Sequence, residues 1–180
     1  MSADGNPSIH ASAVVCGTAG ILIRGPSGSG KSQLALDLIL AGRAGQIPPV
    51  RLVGDDRVHL VRDGSRLLAH PAEALRGLIE VRGLGIRRTD FAPEAEIGLV
   101  VDLAAADGAR LPPPEALITE IEGVTLPRLP VESGYRPLPI VQAALITRAG
   151  PGGIAAADQP LSDDGQQGFG NHIRPMIATK

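Results

Sequence analysis

The chain has 180 residues, 43% of them apolar but only 2% aromatic, and a formal net charge of -2. That length suits one domain able to bury its own core, which must then be built from Leu, Ile, Val and Ala. The lack of any basic excess argues against a general nucleic-acid binder.

The opening residues, Met1 to Pro7, offer neither a basic start nor an apolar stretch, so no signal peptide is expected. No run approaches the ~20 apolar residues of a membrane span, and a cytoplasmic location is expected. Ile9 to Val15 reads as a first strand leading to Cys16, the one cysteine. A lone thiol after Val14 and Val15 forms no internal disulfide, fits a reducing compartment, and reads as a small buried hydrophobe more readily than as a reactive group. Gly20 to Arg24 reads as a second strand. It feeds Gly25-Pro26-Ser27-Gly28-Ser29-Gly30-Lys31-Ser32, which fits the phosphate-loop pattern G-x-x-x-x-G-K-[ST]. Leu34, Ala35, Leu38, Ile39 and Ala41 then recur at helical spacing, with Gly42 as the expected stop.

Ala44 to Pro49 reads as a loop, and Val50 to Asp56 as an apolar strand ending in two carboxylates, Asp55 and Asp56. Val58 to Val61 and Arg66 to Ala69 form a predicted hairpin around Asp63-Gly64. Ile79 to Ile86 reads as a strand entering a loop, because it is charged and broken by Gly83 and Gly85. Ile97 to Leu103 is a nearly continuous apolar run, as in a strand buried on both faces. Leu117 to Val124 and Leu126 to Val131 are shorter candidates, and Pro139 to Arg148 reads as a last helix. From Gly150 the composition turns polar and rich in breakers. The predicted division is therefore a catalytic domain over residues 1–150 and a flexible tail over 151–180.

Strand, glycine-rich turn and helix start is the context that makes a phosphate-loop match physical. Glycines let backbone N–H groups converge on phosphate oxygens, and a helix N-terminus adds free donors and a positive dipole end. Lys31 is the only lysine before the terminal Lys180, so it alone supplies the ammonium expected on the outer phosphates. The Ser32 hydroxyl is the expected Mg²⁺ ligand of such a loop. Two strand ends compete to complete that site, Asp55-Asp56 and Asp102. Adjacent aspartates repel and often need a metal or proton to coexist, while Val100-Val101-Asp102 has the more usual form. The residues alone leave this open.

The spacing of His10, Gly25 to Ser32, Leu52-Val53-Gly54-Asp55-Asp56-Arg57-Val58 and Ile79-Glu80-Val81-Arg82-Gly83-Leu84-Gly85-Ile86 resembles the catalytic domain of HPr kinase/phosphorylase, over about residues 9–149. The resemblance implies an α/β phosphate-loop kinase domain related to phosphoenolpyruvate carboxykinase and usually hexameric. It implies ATP and Mg²⁺ as cofactors and a serine of the HPr phosphocarrier, a phosphotransferase-system protein, as acceptor, with the phosphate removed again by phosphorolysis. Residue by residue it makes Asp56 the general base, His10 the histidine near the transferred phosphate, Lys31 the phosphate-loop lysine, and Ser32 and Glu80 the Mg²⁺ ligands. Arg110 is matched to a catalytic arginine. Arg82, Arg87, Arg88, Arg128 and Arg136 are expected to face an acidic or phosphorylated partner.

The chain also departs from the family pattern. It has Ser133-Gly134-Tyr135-Arg136 where Gly-Arg-Asn is usual and a longer Ala44-to-Pro49 segment, and it is expected to be the short form without an N-terminal domain. The rivals are a small-molecule kinase or nucleotide switch using Asp102 at Mg²⁺, and a non-enzymatic nucleotide-sensing module.

Overall fold

A computed structural model describes residues 7–147; the expected tail at 151–180 lies outside that span. In chain order its elements are β1 (Ser8–Ile9), β2 (Ser12–Cys16), β3 (Ala19–Arg24), α1 (Lys31–Arg43), β4 (Val50–Gly54), β5 (Val58–Asp63), β6 (Arg66–Pro71), β7 (Leu78–Val81), β8 (Gly85–Arg88), β9 (Ala95–Leu103), β10 (Ile118–Ile121), β11 (Val124–Val131) and α2 (Pro137–Ile146). The principal sheet runs β1-β5-β6-β9-β3-β2-β4, with β11 also on β9 and β10 on β11.

The sheet is organised by β9. One edge pairs in parallel with β3 from Ile97 to Asp102. The other is shared: Ala95 and Glu96 meet β6 antiparallel, and Val100 to Leu103 meet β11 in parallel. Side chains alternate between two cores, as the pleat requires. Ile21, Ile23, Leu99, Val101 and Leu103 face α1, whose Leu34, Leu38 and Ile39 cover them. Leu22, Ile97 and Val100 face the opposite way, into a layer closed by Val58, Leu60 and Leu67 of the β5–β6 hairpin and by Val124 and Leu126 of β11. With both faces covered, β9 is the doubly buried strand its apolar run predicts.

Several expected boundaries move, the last helix by two residues at each end, from the expected Pro139–Arg148 to Pro137–Ile146. The single strand expected over Ile9 to Val15 is two, because β1 pairs with β5 while β2 pairs with β3 and β4. The chain changes partners at His10 and Ala11. The helix does not stop at Gly42. It continues to Arg43 and closes with Gln46 N–H on the Ala41 carbonyl and Gly45 N–H on the Gly42 carbonyl, with Gly45 at φ 70°. That double closure is the Schellman pattern, and Gly45 is the glycine that ends the helix. Ile79 to Ile86 is not a strand entering a loop. It is a hairpin, β7–β8, forming a two-stranded sheet of its own, with Val81 opposite Gly85. The break between β10 and β11 falls at Glu122-Gly123, both at positive φ, so Val124 starts the second strand instead of ending the first.

Candidate active site

The phosphate loop leaves β3 at Gly25 and enters α1 at Lys31. Gly25 and Gly30 hold φ of 147° and 96°, which a side chain would strain, and Gly30 forms the helix N-cap. Lys31 is buried, and its Nζ donates to the carbonyls of Gly25 and Pro26, both at 3.0 Å. The ammonium is thus fastened across the mouth of the loop. The Ser29 hydroxyl, on the same loop, is buried without a hydrogen-bond partner among the described residues.

The two aspartates after β4 separate. Asp55 turns inward and is 4% exposed. Its Oδ1 accepts from Ser12 Oγ at 2.6 Å and Ser32 Oγ at 2.9 Å, and its Oδ2 accepts from the Glu80 N–H at 3.0 Å. One carboxylate therefore joins β2, the start of α1 and the β7–β8 hairpin. Asp56 turns outward, with Oδ1 3.3 Å from His10 Nε2, and both side chains are exposed. The pair is thus not one of close carboxylates in mutual repulsion; each acid has its own partners.

The turn that parts them is strained. Asp56 sits at φ 66° while Arg57 N–H bonds the Asp55 carbonyl at 2.8 Å, a three-residue turn of the rarely adopted hand. Non-glycine residues held in such conformations cost about 1–3 kcal/mol and concentrate at functional sites. His10 arrives where the chain passes from β1 to β2. With Ser8, Ile9, Asp56 and Arg57 it lines an open cavity of about 310 Å³.

Asp102 is engaged elsewhere. Arg24, the last residue of β3, donates Nε to Oδ1 and one terminal nitrogen to Oδ2, both at 2.7 Å. Arg128 donates Nε to Oδ2 at 2.5 Å and reaches Asp107 at 2.6 Å. Burial alone would raise the Asp102 pKa, but the hydrogen bonds and charges of Arg24 and Arg128 outweigh it and hold the carboxyl below its ordinary value. Arg128 hydrogen-bonded to Asp107 is itself pushed further up, and Asp107 is held down. With both oxygens committed to guanidinium groups, Asp102 anchors the root of the phosphate loop and is not a free metal ligand.

Of the expected residues, the structure joins His10 to Asp56, and Ser32 to the Glu80 backbone through Asp55, next to Lys31. Among the described residues no hydrogen bond or ion pair joins Arg110, on the exposed segment after β9, to any of them. Arg128, expected on a partner-facing surface, is instead half-buried and tied into the Asp102 network. Sequence reasoning gave Asp55 no separate role, although it continues the apolar run Leu52-Val53-Gly54 and so stands on the strand's buried end. Ser32 and Asp55 offer hard oxygen donors, a set suited to Mg²⁺ beside phosphate oxygens. Among the described residues no three His, Cys, Asp or Glu side chains gather as a complete metal cage.

A family model described as the HPr Serine kinase C-terminal domain matches residues 4–158. The chain belongs to this family. It is 36% identical over 143 residues to an HPr kinase/phosphorylase of Lactococcus lactis subsp. lactis (strain IL1403), covering 71% of this chain and 43% of that one. It is 33% identical over 146 residues to that of Streptococcus equinus, covering 69% and 42%. The chain thus spans less than half the length of these curated relatives. The solved HPr(Ser) kinase/phosphatase of Coxiella burnetii superposes with a TM-score of 0.61 at 26% identity, covering 77% of this chain and 93% of that chain. The α/β phosphate-loop kinase fold expected from the sequence is therefore the fold of this HPr kinase-family chain.

Proposed function

We propose that this chain carries the catalytic domain of an ATP-dependent HPr serine kinase that also dephosphorylates phosphoserine-HPr by phosphorolysis. The observation that carries the proposal is the division of labour at the strand end: Asp55 is pinned inward on Ser32, while Asp56 is turned out to His10 on an open cavity. The phosphate-loop backbone and Lys31 bind the donor's phosphates, and the unpartnered Ser29 hydroxyl fits a loop that receives further polar atoms. Mg²⁺, held by Ser32 with Asp55 behind it and Glu80 beside it, supplies charge neutralisation when bound.

Asp56 orients the acceptor serine and takes its proton as the seryl oxygen bonds to the γ-phosphorus and the bond to the ADP oxygen breaks. His10 steadies the Asp56 carboxylate and faces the transferred phosphate. In reverse, Asp56 takes a proton from inorganic phosphate as one of its oxygens attacks the phosphoserine phosphorus, passes that proton to the seryl oxygen as the serine–phosphorus bond breaks, and pyrophosphate leaves. Arg110 is assigned to the site by resemblance alone. An HPr-type carrier as partner, assembly as a hexamer and a cytoplasmic setting follow from the same family reading. Among the described residues no helix is long and apolar enough to cross a membrane.

Incubation with Mg²⁺, ATP and an HPr-type carrier is expected to add one phosphate to a carrier serine, read by mass spectrometry. Asp56→Asn removes that transfer and leaves ATP affinity within about twofold, since among the described residues Asp56 pairs with His10 and not with the phosphate loop. An unmodified carrier alongside normal ATP binding would replace this proposal with the nucleotide-sensing module.

A further inference from the structure

At the far end of α1 from the phosphate loop, a second cleft of about 470 Å³ opens between the start of β4 and the base of the β7–β8 hairpin. Its walls carry Arg51, Arg76 and Arg88, with Thr89, Asp90 and Phe91 between them. The distance from the loop follows from the helix: Arg43, in the last turn of α1, donates to Thr89 Oγ1 at 3.4 Å, and a helix of this length spans roughly 20 Å. None of these residues lines the His10–Asp56 cavity.

The charge here is unbalanced. Arg76 pairs with Glu73 at 2.6 Å, whereas Arg51 and Arg88 have no carboxylate partner among the described residues. The unpaired guanidinium groups of Arg51 and Arg88 repel each other unless an anion joins them, and the planar forks of the three arginines match phosphate oxygens two at a time. The aromatic ring between them is held in place. Phe91 bridges to Leu52, Ala92 N–H bonds the Leu52 carbonyl at 2.7 Å, and the ring lies so close to Gly77 that a Cβ there would come within 3.1 Å of it. Phe91 is still 38% exposed, in a chain whose aromatic content is only 2%. A fixed, half-open aromatic ring beside convergent arginines is suited to a flat base carrying phosphate, since every base offers a stacking face. Asp90 repels phosphate toward the arginines and presents an acceptor suited to ribose hydroxyls.

We propose that this cleft is a second nucleotide site, independent of the kinase assignment, which takes the base on Phe91 and the phosphates among Arg51, Arg76 and Arg88. Calorimetric titration of the full chain with ATP is then expected to show two binding events. Lys31→Ala weakens the event at the phosphate loop about tenfold or more and spares the other. The double variant Arg51→Ala/Arg88→Ala weakens the second about tenfold or more and spares the first, as expected for losing two charge-assisted contacts. AMP, which lacks the outer phosphates that Lys31 serves, binds the Lys31→Ala protein and is weakened by Phe91→Leu. Should the double variant fail to fold, Arg88→Gln alone, on an exposed strand, gives the same direction of change. A Lys31→Ala protein that takes up neither ATP nor AMP overturns the proposal, and so does uptake indifferent to the arginine variants. Pyrophosphate bound as tightly as AMP, with Phe91→Leu without effect, overturns the assignment of the cleft to nucleotides.

Discussion

Replacing Asp55 by alanine withdraws one acceptor from three donors: the hydroxyls of Ser12 and Ser32 and the backbone N–H of Glu80. Ser12 is fully buried, so its hydroxyl has no water to turn to, and an unsatisfied buried donor costs about 1–3 kcal/mol. Glu80 N–H adds a similar amount, and Ser32, less buried, adds about 1 kcal/mol. Removing a buried charge also returns part of its desolvation penalty, which brings the net loss to about 3 kcal/mol. On a domain stable by about 5–15 kcal/mol, that is a fall in melting temperature on the order of 10 °C. Asparagine behaves differently. Its carbonyl oxygen faces Glu80 N–H while its amide donates to the two serine oxygens, which rotate to accept, so the loss is about 1 kcal/mol. The missing charge is felt instead at Ser32, and the Mg²⁺ concentration for half-maximal phosphoryl transfer rises about tenfold. Urea midpoints of the two variants, with Mg²⁺ titrations of the asparagine protein, measure both effects. Equal midpoints would refute the three-donor account, and an unchanged Mg²⁺ requirement would confine Asp55 to a structural role.

Lys31→Ala is expected to weaken ATP binding about tenfold or more, since no other lysine lies among residues 1–179 and a phosphate contact to a cation is worth about 1.5–3 kcal/mol; calorimetry reads it. Asp102→Asn leaves two guanidinium groups short of a partner in a partly buried site and costs about 3 kcal/mol of stability, with a milder effect on phosphoryl transfer than Asp56→Asn. Because the folded Asp102 pKa lies below its unfolded value, its contribution is complete above about pH 4 and is lost as pH falls through the lower folded value. Asp102→Asn therefore flattens the acid limb of a stability–pH curve and leaves the neutral limb parallel. Gly42→Ala, which stabilises an open helix by about 1 kcal/mol, is destabilising here, because the added Cβ would sit 2.8 Å from Val50 N and 3.1 Å from the Pro48 carbonyl; thermal unfolding gives the sign.

What could be read ahead of the structure was what is local. The phosphate loop, the helix after it and the apolar run of β9 each depend on neighbouring residues, and each forms where the pattern put it, save that the helix runs past Gly42 to Arg43. The division of Ile9 to Val15 was hidden because neither His10 nor Ala11 breaks a strand by itself. The chain turns there because β1 and β2 belong to different partners. The fates of Asp55 and Asp56 were equally hidden, since their residue types are identical and only Ser12, Ser32 and Glu80, brought from elsewhere in the chain, tell the inward acid from the outward one. Arg128 looked like any solvated arginine until β9 and the following turn placed Asp102 and Asp107 around it. Resemblance located the general base and the carrier-binding arginines only as expectations, and for Arg110 no contact has joined it to the rest.

The pairing of β3 with β9 sets a schedule for how the molecule comes together. Gly20 and Arg24 find their partners only at Ile97 and Asp102, so the strand that feeds the phosphate loop keeps an open edge while everything between them is made. Local pieces such as the β5–β6 hairpin and α1 form on microsecond timescales, but closing this parallel pairing is a long-range event of the kind that slows folding to milliseconds or seconds. On the ribosome, at about 5–20 residues per second, synthesis of the intervening chain takes on the order of 4–16 s. During that interval Ile21, Leu22 and Ile23 are exposed along an unpaired edge able to recruit another chain. The same strand order that holds Arg24 against Asp102 in the finished protein thus makes the newborn one most vulnerable to aggregation just before β9 emerges.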